Sequence, residues 1–206
     1  MISAVWAAVA AASAAVAMKA AKQANGPPWW ALAVPGALAS WLLAARLAPT
    51  DPAEWALLAA WLILTQAGVY LSAVDIAVHR LPTLAVSLTG AALAIAITTA
   101  TLLERNSATL TRAGLGALSV GGVYLLLFVL NPNGIGAGDV KLAVVTGLAL
   151  GSGGWRTVAA GLVLPYLLCA PFAAAMVIRR HGHRSTHIPF GPFLIAGSIA
   201  AVLTAQ

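Results

Sequence analysis

Two carboxylates sit in stretches of chain that are otherwise apolar. Asp75 lies in the run Val69-Tyr70-Leu71-Ser72-Ala73-Val74-Asp75-Ile76-Ala77-Val78, and Asp139 ends the run Asn133-Gly134-Ile135-Gly136-Ala137-Gly138-Asp139. An ionisable residue inside a membrane span is costly and points to function by default. Two converging carboxylates suit acid–base hydrolysis. The ionised one takes a proton from a bound water, and the protonated one polarises the scissile carbonyl. Like charges in close contact do not both ionise easily, so such a pair shares one proton. Taken singly, either aspartate reads as a helix cap or as a partner for Arg80 or Lys141. Two at one depth on one side favour a pair that works together.

The elements that position them are membrane helices. Of 206 residues, 61% are hydrophobic and 8% are charged, with a mean hydropathy of +0.94. A soluble domain is about 25% charged, so a soluble globular enzyme is excluded. Disorder needs the opposite composition. The single cysteine, Cys169, excludes a disulfide scaffold. About eight helices of about 20 residues would use about 160 residues and leave only short loops. The expected architecture is an all-α integral membrane bundle of about eight transmembrane helices. It is expected to form one polytopic membrane domain over residues 1–206. The expected segments are about 2–18, 29–47, 54–78, 83–103, 113–130, 139–150, 157–178 and 189–203. The sixth is short for a span, which suggests that one end lies in a protein-lined recess. Pro165 and Pro171 suggest a kink in the seventh. A β-barrel is disfavoured because the segments do not alternate. Ala-rich stretches read as packing surface.

The sides of the membrane follow from Lys/Arg bias in the short loops. One set of alternate ends holds Lys19, Lys22, Arg80, Lys141, Arg179, Arg180 and Arg184; the other holds Arg46, Arg105, Arg112 and Arg156. The larger set is expected to be cytoplasmic, with both termini outside. Segment one lacks a basic start, so it reads as a span rather than a signal peptide. The basic residues are scattered over loops and form no stripe, so no nucleic-acid partner is expected. Both aspartates then fall at cytoplasmic ends. Asp139 opens a helix, where negative charge is favoured, whereas Asp75 lies near a helix C-terminus, where it is not. Asp139 is therefore expected to be the ionised partner and Asp75 the protonated one.

Gly136 and Gly138 permit positive φ and close approach of another chain. That would let an extended substrate backbone lie beside Asp139. The glycine spacing fits neither dinucleotide nor P-loop patterns. These residues resemble the type IV prepilin peptidases, intramembrane aspartyl proteases of the GxGD type. Gly136-Ala137-Gly138-Asp139-Val140-Lys141 looks like the family's GxGDxK motif. Asp75, five residues and Leu81-Pro82-Thr83 resemble its first motif, which usually ends Ile-Pro-Asn. Ile188-Pro189-Phe190-Gly191-Pro192-Phe193 is similar to the patch before its last helix. The resemblance covers about residues 54–206.

It implies a cytoplasm-facing endopeptidase in the inner membrane that removes basic leaders from prepilins or pseudopilins. A pilus or secretion machine is then a partner, beside the substrate helix and the bilayer. Many members carry a zinc-binding insert with two CxxC pairs, linked to N-methylation. One cysteine cannot build such a site. The resemblance is therefore to a compact, peptidase-only form, as in Flp/Tad-type systems. The expected catalytic pair is Asp75 and Asp139. Gly136, Gly138, Lys141, Pro82 and Thr83 are expected on the substrate side, with no metal and no cofactor.

Other candidates have plainer readings. Asp51, Glu54 and Glu104 read as caps and solubilising groups. His181, His183 and His187 read as a solvated basic loop rather than a metal site. His79 and Arg80 read as interfacial anchors. Ser72 and Thr83 are offered as groups that orient Asp75 or as helix-packing hydroxyls. The seven tryptophans mostly fall near span ends, as an aromatic belt requires. No Ser/His/Asp order or HExxH motif appears. Two competing classes remain: a transporter using Asp75 and Asp139 for cations or protons, and a non-catalytic assembly factor.

Overall fold

The computed structural model describes residues 29–131, 134–179 and 189–205. Segment one, Lys19, Lys22 and the loop bearing His181, His183 and His187 lie outside the described residues. Within them the chain forms seven helices: α1 (Trp29–Leu47), α2 (Pro52–Val78), α3 (Thr83–Glu104), α4 (Ala108–Leu130), α5 (Ala137–Gly153), α6 (Trp155–Arg179) and α7 (Gly191–Thr204). Four are long and apolar enough to cross a membrane: Pro52–Val78, Thr83–Glu104, Ala108–Leu130 and Trp155–Ala175. The apolar helices Ala33–Leu47 and Gly191–Thr204 are shorter. The protein is an all-α membrane protein.

Its outer surface is apolar. Leu84, Leu102, Leu118 and Ile178 are 71–73% exposed, which suits a lipid solvent and not water. Backbone groups are satisfied within the helices, as a bilayer demands. Buried hydroxyls follow the same rule. Thr65, Thr89 and Ser198 each donate at 2.8 Å to the carbonyl four residues back.

The short sixth segment explains itself in the packing. Helix α5 contacts α2, α3, α4, α6 and α7. Its Leu142, Ala143, Thr146, Ala149 and Leu150 are fully buried. It is a central helix flanked by protein, so it need not match the hydrocarbon thickness alone. Its closest neighbour is α4. A Cβ on Gly147 would lie 2.6 Å from the Gly116 carbonyl oxygen, so two backbones touch where side chains are missing.

Asp51 caps α2, accepting the Glu54 N–H at 2.8 Å, while Glu54 accepts the Thr50 N–H at 2.6 Å. Glu104 accepts the Thr109 hydroxyl at 2.9 Å. These three acids thus have structural work. Helix α4 begins at Ala108, earlier than hydropathy placed it, because Thr109, Thr111 and Arg112 lengthen it with a polar first turn. Pro165 and Pro171 lie inside the continuous helix α6.

Candidate active site

Asp75 sits on the last turn of α2. The helix stops when His79 takes a left-handed conformation (φ 52°) and donates its N–H to the Asp75 carbonyl at 2.9 Å. The Asp75 side chain is buried, 6% exposed. Its Oδ2 accepts the N–H of Gly191 at 3.0 Å. Gly191 opens α7, so the patch before the last helix directly touches the first motif. A Cβ on Gly191 would lie 2.8 Å from that same Oδ2. Only glycine leaves the carboxylate this place.

Asp139 is the third residue of α5 and is half-buried. Its Oδ2 accepts the Gly136 N–H at 3.2 Å. Its own N–H donates to the Gly136 carbonyl at 3.0 Å. The carboxylate therefore satisfies a free donor at the start of its own helix. Gly136 has φ −77°, and among the described glycines only Gly154 has positive φ. Gly136 and Gly138 therefore do not use the positive φ that glycine permits. Close approach is what the structure uses instead. A Cβ on Gly138 would meet the Leu81 Cβ at 3.0 Å. The second motif packs on the loop of the first.

A third contact ties these motifs. Lys141 Nζ donates to Thr83 Oγ1 at 3.1 Å. Both residues are exposed. Thr83 pairs with Lys141 rather than orienting Asp75. Pro82 is half-buried and precedes the first turn of α3. The structure thus brings together Asp75, Leu81, Thr83, Gly136, Gly138, Asp139, Lys141 and Gly191, which the sequence scatters over three stretches.

The packing of Gly138 on Leu81 and the Lys141–Thr83 contact set the ends of α2 and α5 that bear the two carboxyls beside one another. Each accepts a backbone N–H at the start of a helix, Asp139 from its own and Asp75 from α7. The dipole argument from sequence considered only the helix that carries Asp75. It missed that a second helix N-terminus faces the same carboxylate, so dipoles do not separate the roles of the pair. Among the described residues, no three His, Cys, Asp or Glu side chains group closely enough to hold a metal ion. Cys169 is half-buried on α6.

Sequence reasoning assigned no role to Tyr124, Tyr166, Phe190 or Gly191. The three rings form a cluster: Tyr124 and Tyr166 stack with centroids 6.0 Å apart at 27°. Phe190 lies 5.9 Å from Tyr124 and 5.3 Å from Tyr166. A signal existed: only three tyrosines occur in the chain, and all three, Tyr70, Tyr124 and Tyr166, interrupt apolar helices.

The fold and the site define a helical membrane protein in which the helix ends that bear Asp75 and Asp139 pack together. Residues 56–205 match the model of the type IV leader peptidase family. That is more than half of the chain, and the chain belongs to this family. It is similar to the prepilin leader peptidase/N-methyltransferase of Aeromonas salmonicida (strain A449), 43% identical over 68 residues, 32% of this chain and 22% of the relative. The protein of that name from Bacillus subtilis (strain 168) is 34% identical over 92 residues, 44% of this chain and 36% of the relative. Its counterpart in Pseudomonas aeruginosa is 38% identical over 87 residues, 41% of this chain and 29% of the relative. The matches therefore span between 22% and 36% of those relatives' lengths. No solved structure matches the chain.

Proposed function

We propose that the chain is a prepilin leader peptidase, an aspartic endopeptidase that removes the basic leader from type IV prepilins or pseudopilins, including those of the Flp/Tad type. The observation that carries this reading is that Asp75 and Asp139, each accepting a backbone N–H from a glycine, Gly191 and Gly136, lie on motifs that pack on one another through Leu81 and Gly138. In the reaction one carboxylate accepts a proton from water as the water oxygen attacks the scissile carbonyl carbon. The other carboxyl donates a hydrogen bond to the carbonyl oxygen. Collapse of the tetrahedral adduct breaks the C–N bond, and the leaving nitrogen takes up a proton. No metal or organic cofactor enters. Gly136, Gly138, Pro82, Thr83 and Lys141 form the surroundings through which the substrate reaches the pair.

Residues 1–206 are assigned to one polytopic domain of eight spans in the cell membrane. The basic set of helix ends and the active site face the cytoplasm, and the termini lie opposite. Cleavage is assigned to this chain and methylation is not, because its one cysteine cannot supply a Cys₄ zinc set.

The test is leader cleavage of a co-expressed prepilin by wild type, Asp75→Asn and Asp139→Asn. Each isosteric change should lower cleavage at least about a hundred-fold. Unchanged cleavage in either variant would overturn the mechanism. If the acids matter for ion flux but not for cleavage, the chain is a transporter.

A further inference from the structure

Tyr124 on α4 is fully buried (0% exposed). Its hydroxyl has no well-formed hydrogen bond among the described residues, although Tyr166 is close enough to interact with it. Burying a hydroxyl without a partner is unfavourable, and native proteins seldom do it without a use for the group. Phenylalanine would fill the same space and carry no such cost. The neighbours indicate the use. Tyr124 stacks on Tyr166 and packs against Phe190. Phe190 immediately precedes Gly191, whose N–H holds Asp75. Helices α4 and α5 run antiparallel, with Gly151 against Ala113, Gly147 against Gly116 and Val144 against Gly121, and the next turn of that register brings Tyr124 to the first turn of α5, where Asp139 sits. Asp139 itself spends Oδ2 on Gly136, and Oδ1 is the oxygen left to a second donor.

We propose that Tyr124 is a positioning residue for Asp139: with substrate bound, its hydroxyl donates to Asp139 Oδ1 and fixes the orientation in which that carboxylate works. Tyr166, 37% exposed, and Phe190 hold the Tyr124 ring in place. The assignment rests on the reading of Asp139 as catalytic. A neutral donor suits this position. It orients a carboxylate without adding the full positive charge that a lysine would set against the shared proton of the pair. Such bonds are commonly long in free enzymes and tighten with substrate.

The experiment uses the full chain in liposomes with a purified prepilin, measuring kcat and KM separately, and thermal melting of each variant. Tyr124→Phe removes only the hydroxyl. It should lower kcat by about 10- to 100-fold, leave KM within about two-fold, and leave Tm equal or higher. Tyr166→Phe should lower kcat by less than Tyr124→Phe does, because its hydroxyl is not enclosed. An unchanged kcat in Tyr124→Phe overturns the proposal, as does a change in KM alone. A fall in kcat matched by a fall in Tm also overturns it, since that marks a packing role. Asp139→Asn separates the two readings. If Asp139→Asn is inactive and Tyr124→Phe is normal, only the Tyr124 assignment fails. If Asp139→Asn cleaves at the wild-type rate, the aspartyl mechanism fails with it.

Discussion

The N–H of Gly191 and the Oδ2 of Asp75 meet at 3.0 Å across 116 residues of chain. The contact joins the last turn of α2 to the first turn of α7. It gives the patch ahead of the last helix a physical purpose: that patch supplies a backbone donor to a buried carboxylate, and it supplies it from a residue with no side chain.

Gly191→Ala should therefore damage activity more than stability. The added Cβ would stand 2.8 Å from Oδ2 and 3.3 Å from the carboxyl carbon. Either the carboxylate rotates or α7 moves. A misplacement on the order of 1 Å at a catalytic group costs roughly 100-fold. We expect leader cleavage to fall by about that factor while the melting temperature moves only a few degrees. Cleavage at the wild-type rate would mean that the Gly191–Asp75 contact does not set the working geometry.

How much of this was legible in the sequence depends on what each residue answers to. Asp75 and Asp139 stood out because charge is scarce in a chain that is 61% hydrophobic. The helices followed from long apolar runs, and α2 and α3 start where capping and Pro82 put them. The role of Gly138 was half legible. Its spacing marked a close approach, but only the fold shows that Leu81 is the neighbour. Tyr124 and Gly191 were illegible for a different reason. Their meaning lies in contacts between helices far apart in the chain, and neither hydropathy nor helix period carries that information. The dipole argument failed on the same ground, since α7 reaches Asp75 only through tertiary packing.

The Lys141–Thr83 contact is exposed, and so its effect on stability should be small. A hydrogen bond or ion contact at such a site contributes at most about 1 kcal/mol. Thr83→Val keeps the shape and removes the acceptor. We expect an unchanged melt and cleavage lowered by roughly two- to ten-fold, because the loop of the first motif loses one tie to α5. Thr83→Asn restores an oxygen acceptor at the position and should cleave like wild type. Parallel kinetics on the two variants make the check. Equal loss in both would show that Thr83 acts through something other than Lys141.

Glycines in the α4–α5 contact should behave in the opposite way to Gly191. On Gly147 a Cβ would lie 2.6 Å from the Gly116 carbonyl oxygen and 2.9 Å from both Ala117 Cα and Val120 Cβ. Two of these atoms are backbone, so relief requires the helices to separate. Alanine's better helix propensity is worth about 1 kcal/mol, and overpacking costs about 1–3 kcal/mol or more. The collision is with backbone, so the larger figure applies and Gly147→Ala should destabilise by about 2 kcal/mol. Gly114, on the same α4 helix, has nothing within 4 Å of its would-be Cβ. There the propensity term acts alone, and Gly114→Ala should stabilise by up to about 1 kcal/mol. Thermal melts in one detergent decide the pair. Opposite signs are expected, and a Gly147→Ala chain as stable as wild type would mean that α4 and α5 do not need this close approach.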